Sequence, residues 1–178
     1  MPHDTSWPLH TSALRFFDLE TTGLRPDRGA RITEAAVLDH QTTCLYWQRT
    51  ANRPVAALLD RLLRCFADAV VVGHNLAFDF RFLAYEAERQ HRSPFAIRYI
   101  DTLSLARAAR LDAQLGLPDL ALETLARRLV GREEGSGWTF HTARGDAAAT
   151  RAVLWALADR LQIQTLADAG LQRMAWAR

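Results

Sequence analysis

The sequence predicts an α/β domain with a mixed sheet, on three observations. Three short apolar runs open the chain, and helical segments then alternate with two more such runs. A chain of 178 residues also suits one domain with a real core. Residues 1–12 are polar and irregular and read as a loose N-terminal segment. The single domain then runs over 13–178.

Residues 13–18 (ALRFFD) form the first buried strand. Gly23, Pro26, Asp27 and Gly29 break the stretch after it. Residues 31–39 and 43–49 read as two more strands, with residues 39–42 as their hairpin turn. Asn52 and Pro54 open a helix in which Val55, Leu58, Leu59, Leu62, Leu63 and Phe66 keep a helical period. Residues 70–72, ended by Gly73, give a fourth strand, 76–91 a second helix and 95–100 a fifth strand. Beyond Asp101 the pattern is helical over 102–111, 118–130 and 143–161, with breaks at 116–118 and 131–137. A last short helix is expected over 164–176. The first and fourth strands should run parallel. Ligands of such sheets sit beyond the carboxyl ends of the strands, and both Asp18 and Asp79 fall there.

Composition narrows the classes without choosing a function. The net charge of +2 neither demands nor excludes a polyanionic partner. All 22 basic residues are arginine. This fits a GC-rich genome, and it also means that any phosphate contact is made by a guanidinium fork. Cys44 and Cys65 give neither a disulfide framework nor metal spacing and read as small core residues in a reducing compartment. The N-terminus has no apolar signal region, and no run approaches the ~20 apolar residues of a membrane span. A cytoplasmic protein with no membrane partner is expected.

Chemistry is concentrated in three segments: Asp18 and Glu20 in FFDLETTGL, Asp79 in VVVGHNLAFDF, and His141 with Asp146 in HTARGDAAAT. On an extended chain Asp18 and Glu20 point to one side. Taken alone, one of them reads more readily as capping the turn at Thr21, Thr22 and Gly23. Asp79 follows Leu76 by three positions and lies along the apolar stripe of Leu76, Phe80, Leu83 and Ala87. A salt bridge to Arg81 would explain it, but i and i+2 neighbours on a helix do not face each other. Asn75 reads equally as a helix N-cap and as a holder of a nucleotide sugar. Asp146 opens a helix whose inner stripe is Ala149, Thr150, Val153 and Leu157, where an acid also complements the helix dipole. His141 stands five residues earlier in a Gly-rich loop, placed to act as a general base. Carboxylates gathered in apolar settings need cations to stay ionised, and phosphoryl transfer is the chemistry that most often uses them.

Together, FDLETTGL, GHNLAFDFRFL and HTARGDAAAT resemble the motifs of the DEDDh (DnaQ-like) 3′–5′ exonucleases. That family includes the epsilon proofreading subunit of bacterial DNA polymerase III, ribonuclease T and oligoribonuclease. The resemblance covers about residues 14–157. The sister class carries Tyr four residues before its last acid; here Thr142 holds that position, and His141 indicates the histidine class. The resemblance implies a ribonuclease H-like fold with a five-stranded sheet of order 3-2-1-4-5. It also implies two Mg²⁺ or Mn²⁺ ions. Asp18, Glu20 and Asp146 would hold the first, and Asp18 would bridge to the second with Asp79. His141 would take the proton of the attacking water. Thr21, Thr22, Gly23 and Leu24 match the stretch that touches the terminal nucleotide, with Leu24 against its base. His74, Asn75 and Phe78 are further candidates for that pocket. One departure is visible: only residues 49–53 join the third strand to the next helix, where the family carries a longer insert walling the nucleotide pocket.

The expected activity is release of nucleoside monophosphates from the 3′ end of single-stranded DNA, in proofreading or repair. An exoribonuclease of the same chemistry is the nearest alternative. A nucleic-acid-binding module without catalysis is disfavoured, because all four acids and the histidine are present. Oligomeric state and association with replication or repair proteins are left open.

Overall fold

The computed structural model describes residues 5–50, 55–92, 96–131 and 138–175. Six strands form one sheet: β1 (Leu14–Thr21), β2 (Ile32–Leu38), β3 (Cys44–Arg49), β4 (Val70–Gly73), β5 (Ala96–Asp101) and β6 (Gln172–Ala175). The helices are α1 (Val55–Phe66), α2 (Leu76–Arg89), α3 (Thr102–Ala108), α4 (Leu111–Leu115), α5 (Leu122–Leu129) and α6 (Ala143–Leu161). Strand order is β3-β2-β1-β4-β5-β6, which keeps the expected order of five and adds one edge strand. β1 pairs parallel with β4, and β4 parallel with β5; the β1–β2, β2–β3 and β5–β6 pairs are antiparallel. The helix-opening residues Asn52 and Pro54 lie outside the described residues, as does most of the break expected at 131–137.

The side-chain period of β1 divides the core in two. Phe17 and Leu19 pack with Leu58, Leu59 and Leu62 of α1 and with Phe82 and Leu83 of α2. Leu14 and Phe16 pack with Val70, Val72 and Leu154 of α6. A third cluster joins Val153 and Leu157 of α6 to Leu125 of α5 and to Leu111. The sheet is therefore covered on both faces, as a parallel centre requires.

Four expectations are corrected. The helix over 164–176 is not formed; turns lead into β6, which pairs with Arg98 and its neighbours on β5. QRMA has no strand alternation to read, and its residues are mostly exposed, so the pairing comes from the open edge of β5. The segment expected to be loose is docked over its described part. Leu9 is fully buried, its N–H donates to Gln164 O at 2.8 Å, and Pro8 bridges Thr165. The helix over 102–111 ends at Ala108, because Arg110 takes a left-handed conformation (φ 51°). Cys44 is exposed at the start of the outer strand and Cys65 half-buried; both are free thiols. No helix among the described residues is long and apolar enough to cross a membrane.

Candidate active site

β1 runs three residues past Asp18, so Asp18 and Glu20 are strand residues, opposite Ala36 and Glu34 of β2. The β1–β2 register shifts between Glu20 and Thr21. Such irregularities re-aim side chains at strand ends. The parity of Leu14 and Phe16 carries Asp18 and Glu20 to the α6 face, where Asp146 sits in the first turn. Asp18, Glu20 and Asp146 each offer a carboxylate oxygen to a group whose atoms all lie within 4.8 Å of one another.

The start of α6 aims Asp146. Thr142 is the N-cap, and its hydroxyl oxygen accepts from Gly145 N at 3.1 Å. A side chain at 145 is barred, since a Cβ there would lie 2.1 Å from the Thr139 carbonyl oxygen. The backbone of His141 is left-handed (φ 61°), a conformation costly outside glycine and concentrated at functional sites. In this form its N–H donates to Asp146 Oδ2 at 3.3 Å. The imidazole is exposed to solvent, and its charge bears on both Glu20 and Asp146.

Asp79 is not part of the group of three. It is buried on α2, and its Oδ1 accepts from Leu19 N at 3.1 Å, which ties α2 to β1 between the two β1 acids. No ion pair with Arg81 forms. Asp79 still bears electrostatically on Asp18.

Every acid of the site holds its proton more tightly than usual. Burial pushes Asp18 well up, reinforced by Asp79, Asp146, Glu20 and Glu34. Burial raises Glu20 against the pull of His141, with Glu34 adding to the rise. Asp79 is raised by burial, which outweighs the Leu19 hydrogen bond. Asp146 is pushed up to about 6, by burial and then by Glu20. Four carboxylates compressed this way, with no cation paired to them among the described residues, lower their energy by sharing a proton or a metal. Asp146 Oδ1 is buried without a hydrogen-bond partner among the described residues. An all-oxygen donor set with an orphaned oxygen fits a hard divalent cation such as Mg²⁺ or Mn²⁺.

The other expected residues fall into distinct roles. Leu24 is 75% exposed in the turn after β1. Thr21 and Thr22 shape the turn that carries it: Thr21 Oγ1 donates to Gly23 O at 2.7 Å, and Arg31 N donates to Thr22 Oγ1 at 2.9 Å. No hydrogen bond from this turn reaches Asp18 or Glu20 among the described residues. Asn75 is left-handed (φ 65°), exposed, and its side chain does not cap α2. Phe78 is half-buried against Phe82, with Arg81 near its ring. His74 is committed elsewhere. Its Nε2 donates to Leu120 O at 3.0 Å, and Nδ1 lies 2.9 Å from Thr102 Oγ1. It clamps the corner after β4 to α3 and the loop before α5. Asp101 went unnoticed in the sequence. Its Oδ1 caps α3 through Leu103 N and also accepts from Asn75 N at 2.9 Å, which fixes the backbone between β4 and α2. An acid between a strand and a Thr-Leu-Ser helix start is the signal that could have found it.

The chain is similar to known proteins over most of its length. The model of the RNase_H superfamily matches residues 15–145. DNA polymerase III subunit epsilon of Rickettsia typhi is 28% identical, over 82% of this chain and 75% of its own length. A family B DNA polymerase from the archaeon Pyrobaculum calidifontis superposes with a TM-score of 0.57 at 15% identity, covering 85% of this chain. The chain spans about a quarter (24%) of that polymerase. NrnC of Brucella melitensis, in a structure with pGG, gives a TM-score of 0.54 at 16% identity, covering 91% of this chain and 78% of NrnC. At these identities the two structural likenesses speak to the fold.

Proposed function

The chain belongs to the RNase_H superfamily, and from that premise we propose that it is a metal-dependent 3′–5′ exonuclease of the DEDDh type. It hydrolyses the terminal phosphodiester bond of single-stranded DNA and releases nucleoside monophosphates. One observation carries the reading: Asp18, Glu20 and Asp146 meet within 4.8 Å, beside a histidine whose backbone is hydrogen-bonded to Asp146. A role in proofreading or repair is favoured by the likeness to a DNA polymerase III subunit.

Asp18, Glu20 and Asp146 would hold one divalent cation, and Asp18 with Asp79 a second. Bound ions of this kind acidify a water and offset charge on the leaving 3′ oxygen. The protein's part is to gather the acids where a bound cation would keep them ionised, and to supply a base. His141 takes the proton of the attacking water at its exposed imidazole, while its N–H bond to Asp146 keeps the loop against α6. Asp79 orders β1 between Asp18 and Glu20 through Leu19 N. Leu24 packs on the terminal base, and the uncommitted Asn75 amide and Phe78 line the same pocket; the hydrogen bonds of His74 make it a positioning residue for this corner.

RNA is the second reading, since the 2′-hydroxyl is the only difference at the cleaved nucleotide. End-labelled single-stranded, duplex and mismatched DNA, with matched RNA, each with and without EDTA, test both. The expected result is stepwise shortening from the 3′ end that stops in EDTA. Cleavage that persists in EDTA, or internal cuts, would refute the proposal.

A further inference from the structure

Arg15, Arg61 and Arg64 converge on a recess of about 360 Å³ that also takes in Leu45, Tyr46 and Cys65. It lies across the sheet from the acids. On β1, Arg15 shares the parity of Phe17 and Leu19, which face α1 and α2, whereas Asp18 and Glu20 share that of Leu14 and Phe16, which face α6. Among the described residues, no acidic side chain lines the recess. The acids nearest in sequence are engaged elsewhere: Asp60 pairs with Arg92 at 2.6 Å, and Asp68 bears on Arg98.

The three arginines are under-used. Arg25, Arg31, Arg49, Arg92 and Arg127 form ion pairs; Arg15, Arg61 and Arg64 form none among the described residues. Arg15 donates from one Nη to Leu14 O at 3.0 Å, while its Nε is buried without a partner among the described residues. Leaving a buried cationic donor unsatisfied is unfavourable. The Cys65 thiol, pushed up by burial, is pulled back by Arg15, Arg64 and Arg61, so the three charges bear on one point. Guanidinium forks around one recess match a tetrahedral oxyanion with several acceptor oxygens.

We propose that this recess binds a phosphate group, either free or carried on a nucleic-acid strand. It is separate from the acid cluster and does not depend on the exonuclease reading.

The test reads protection of Cys65 in the full chain carrying Cys44→Ser, which removes the exposed thiol. Alkylation is timed in EDTA with inorganic phosphate, with a deoxynucleoside monophosphate, and with a short single-stranded oligonucleotide. Rates with and without each probe are compared within each protein. Slowing is expected in the parent, with affinity at least about tenfold weaker in Arg61→Ala/Arg64→Ala, both exposed positions. Protection by inorganic phosphate assigns a free anion, and protection by the oligonucleotide alone assigns the strand backbone. No protection by any probe, or equal protection in the double variant, overturns the site. Should the parent cleave no 3′ end yet show this protection, the exonuclease reading fails and the recess stands.

Discussion

Glu34 and Glu86 are as buried as Asp79, at 6%, 3% and 3% exposure, but their surroundings differ. Glu86 Oε1 lies 3.1 Å from Arg31 Nε in an ion pair. Glu34 lies 3.4 Å from that of Arg49 and takes the Trp47 Nε1 proton at 2.6 Å. Asp18, Glu20, Asp79 and Asp146 have no such cation among the described residues, and all four hold their protons above the ordinary range. One chain thus buries carboxylates in two ways. Where arginine answers the charge, the acid fastens strands and helices together. Where no arginine answers it, the fold carries an electrostatic strain that an incoming cation relieves.

That contrast is broken most forcefully by Asp18→Asn. Cleavage should fall by at least about 10³-fold, since several kcal/mol of charge stabilisation leaves with the carboxylate. The metal-free melting temperature should rise, because a crowded charge is removed; thermal denaturation in EDTA beside a cleavage assay reads both. A lower melting temperature would place Asp18 with the paired acids. His141→Ala comes next, with turnover down about 10²–10⁴-fold and Mn²⁺ uptake kept, as for loss of a general base. Glu86→Gln sharpens the other side of the comparison. It should lose about 1–2 kcal/mol by urea denaturation, as Arg31 is left half-paired, with turnover largely kept.

The smallest effect follows from Asp146. Its pKa is raised from 3.8 to about 6 in the folded chain, so the native state binds the proton more tightly than the unfolded one. The ionised carboxylate is therefore destabilising above pH 6, and this penalty fades as pH falls through 6 toward 4. Asp146→Asn should stabilise the metal-free protein at pH 7.5 by only about 1 kcal/mol, since the group is partly exposed and solvent screens it. The advantage should vanish near pH 4, as melting curves of the two proteins across that range will read.

Much of this was legible beforehand for a physical reason. Local signals such as the FFD and VVV runs and the α1 period fixed the first five strands and the longest helices. The acids stood out because apolar neighbours make an acid expensive. What escaped depends on distant partners. β6 exists through the free edge of β5, Leu9 is buried by the loop after α6, and His74 is held by Thr102 and Leu120. The need for glycine at 145 comes from the Thr139 carbonyl oxygen packed against it. The arginine recess is assembled from β1, β3 and α1, which no single stretch of sequence reveals.

The central claim, that the unanswered acids are a cation site, is tested most directly by calorimetric titration of Mn²⁺ into the EDTA-treated, desalted protein near pH 6. The account predicts saturable uptake, protons released to the buffer as the raised carboxylates ionise, and loss of both in Asp18→Asn. No uptake, or uptake unchanged by that substitution, would contradict it.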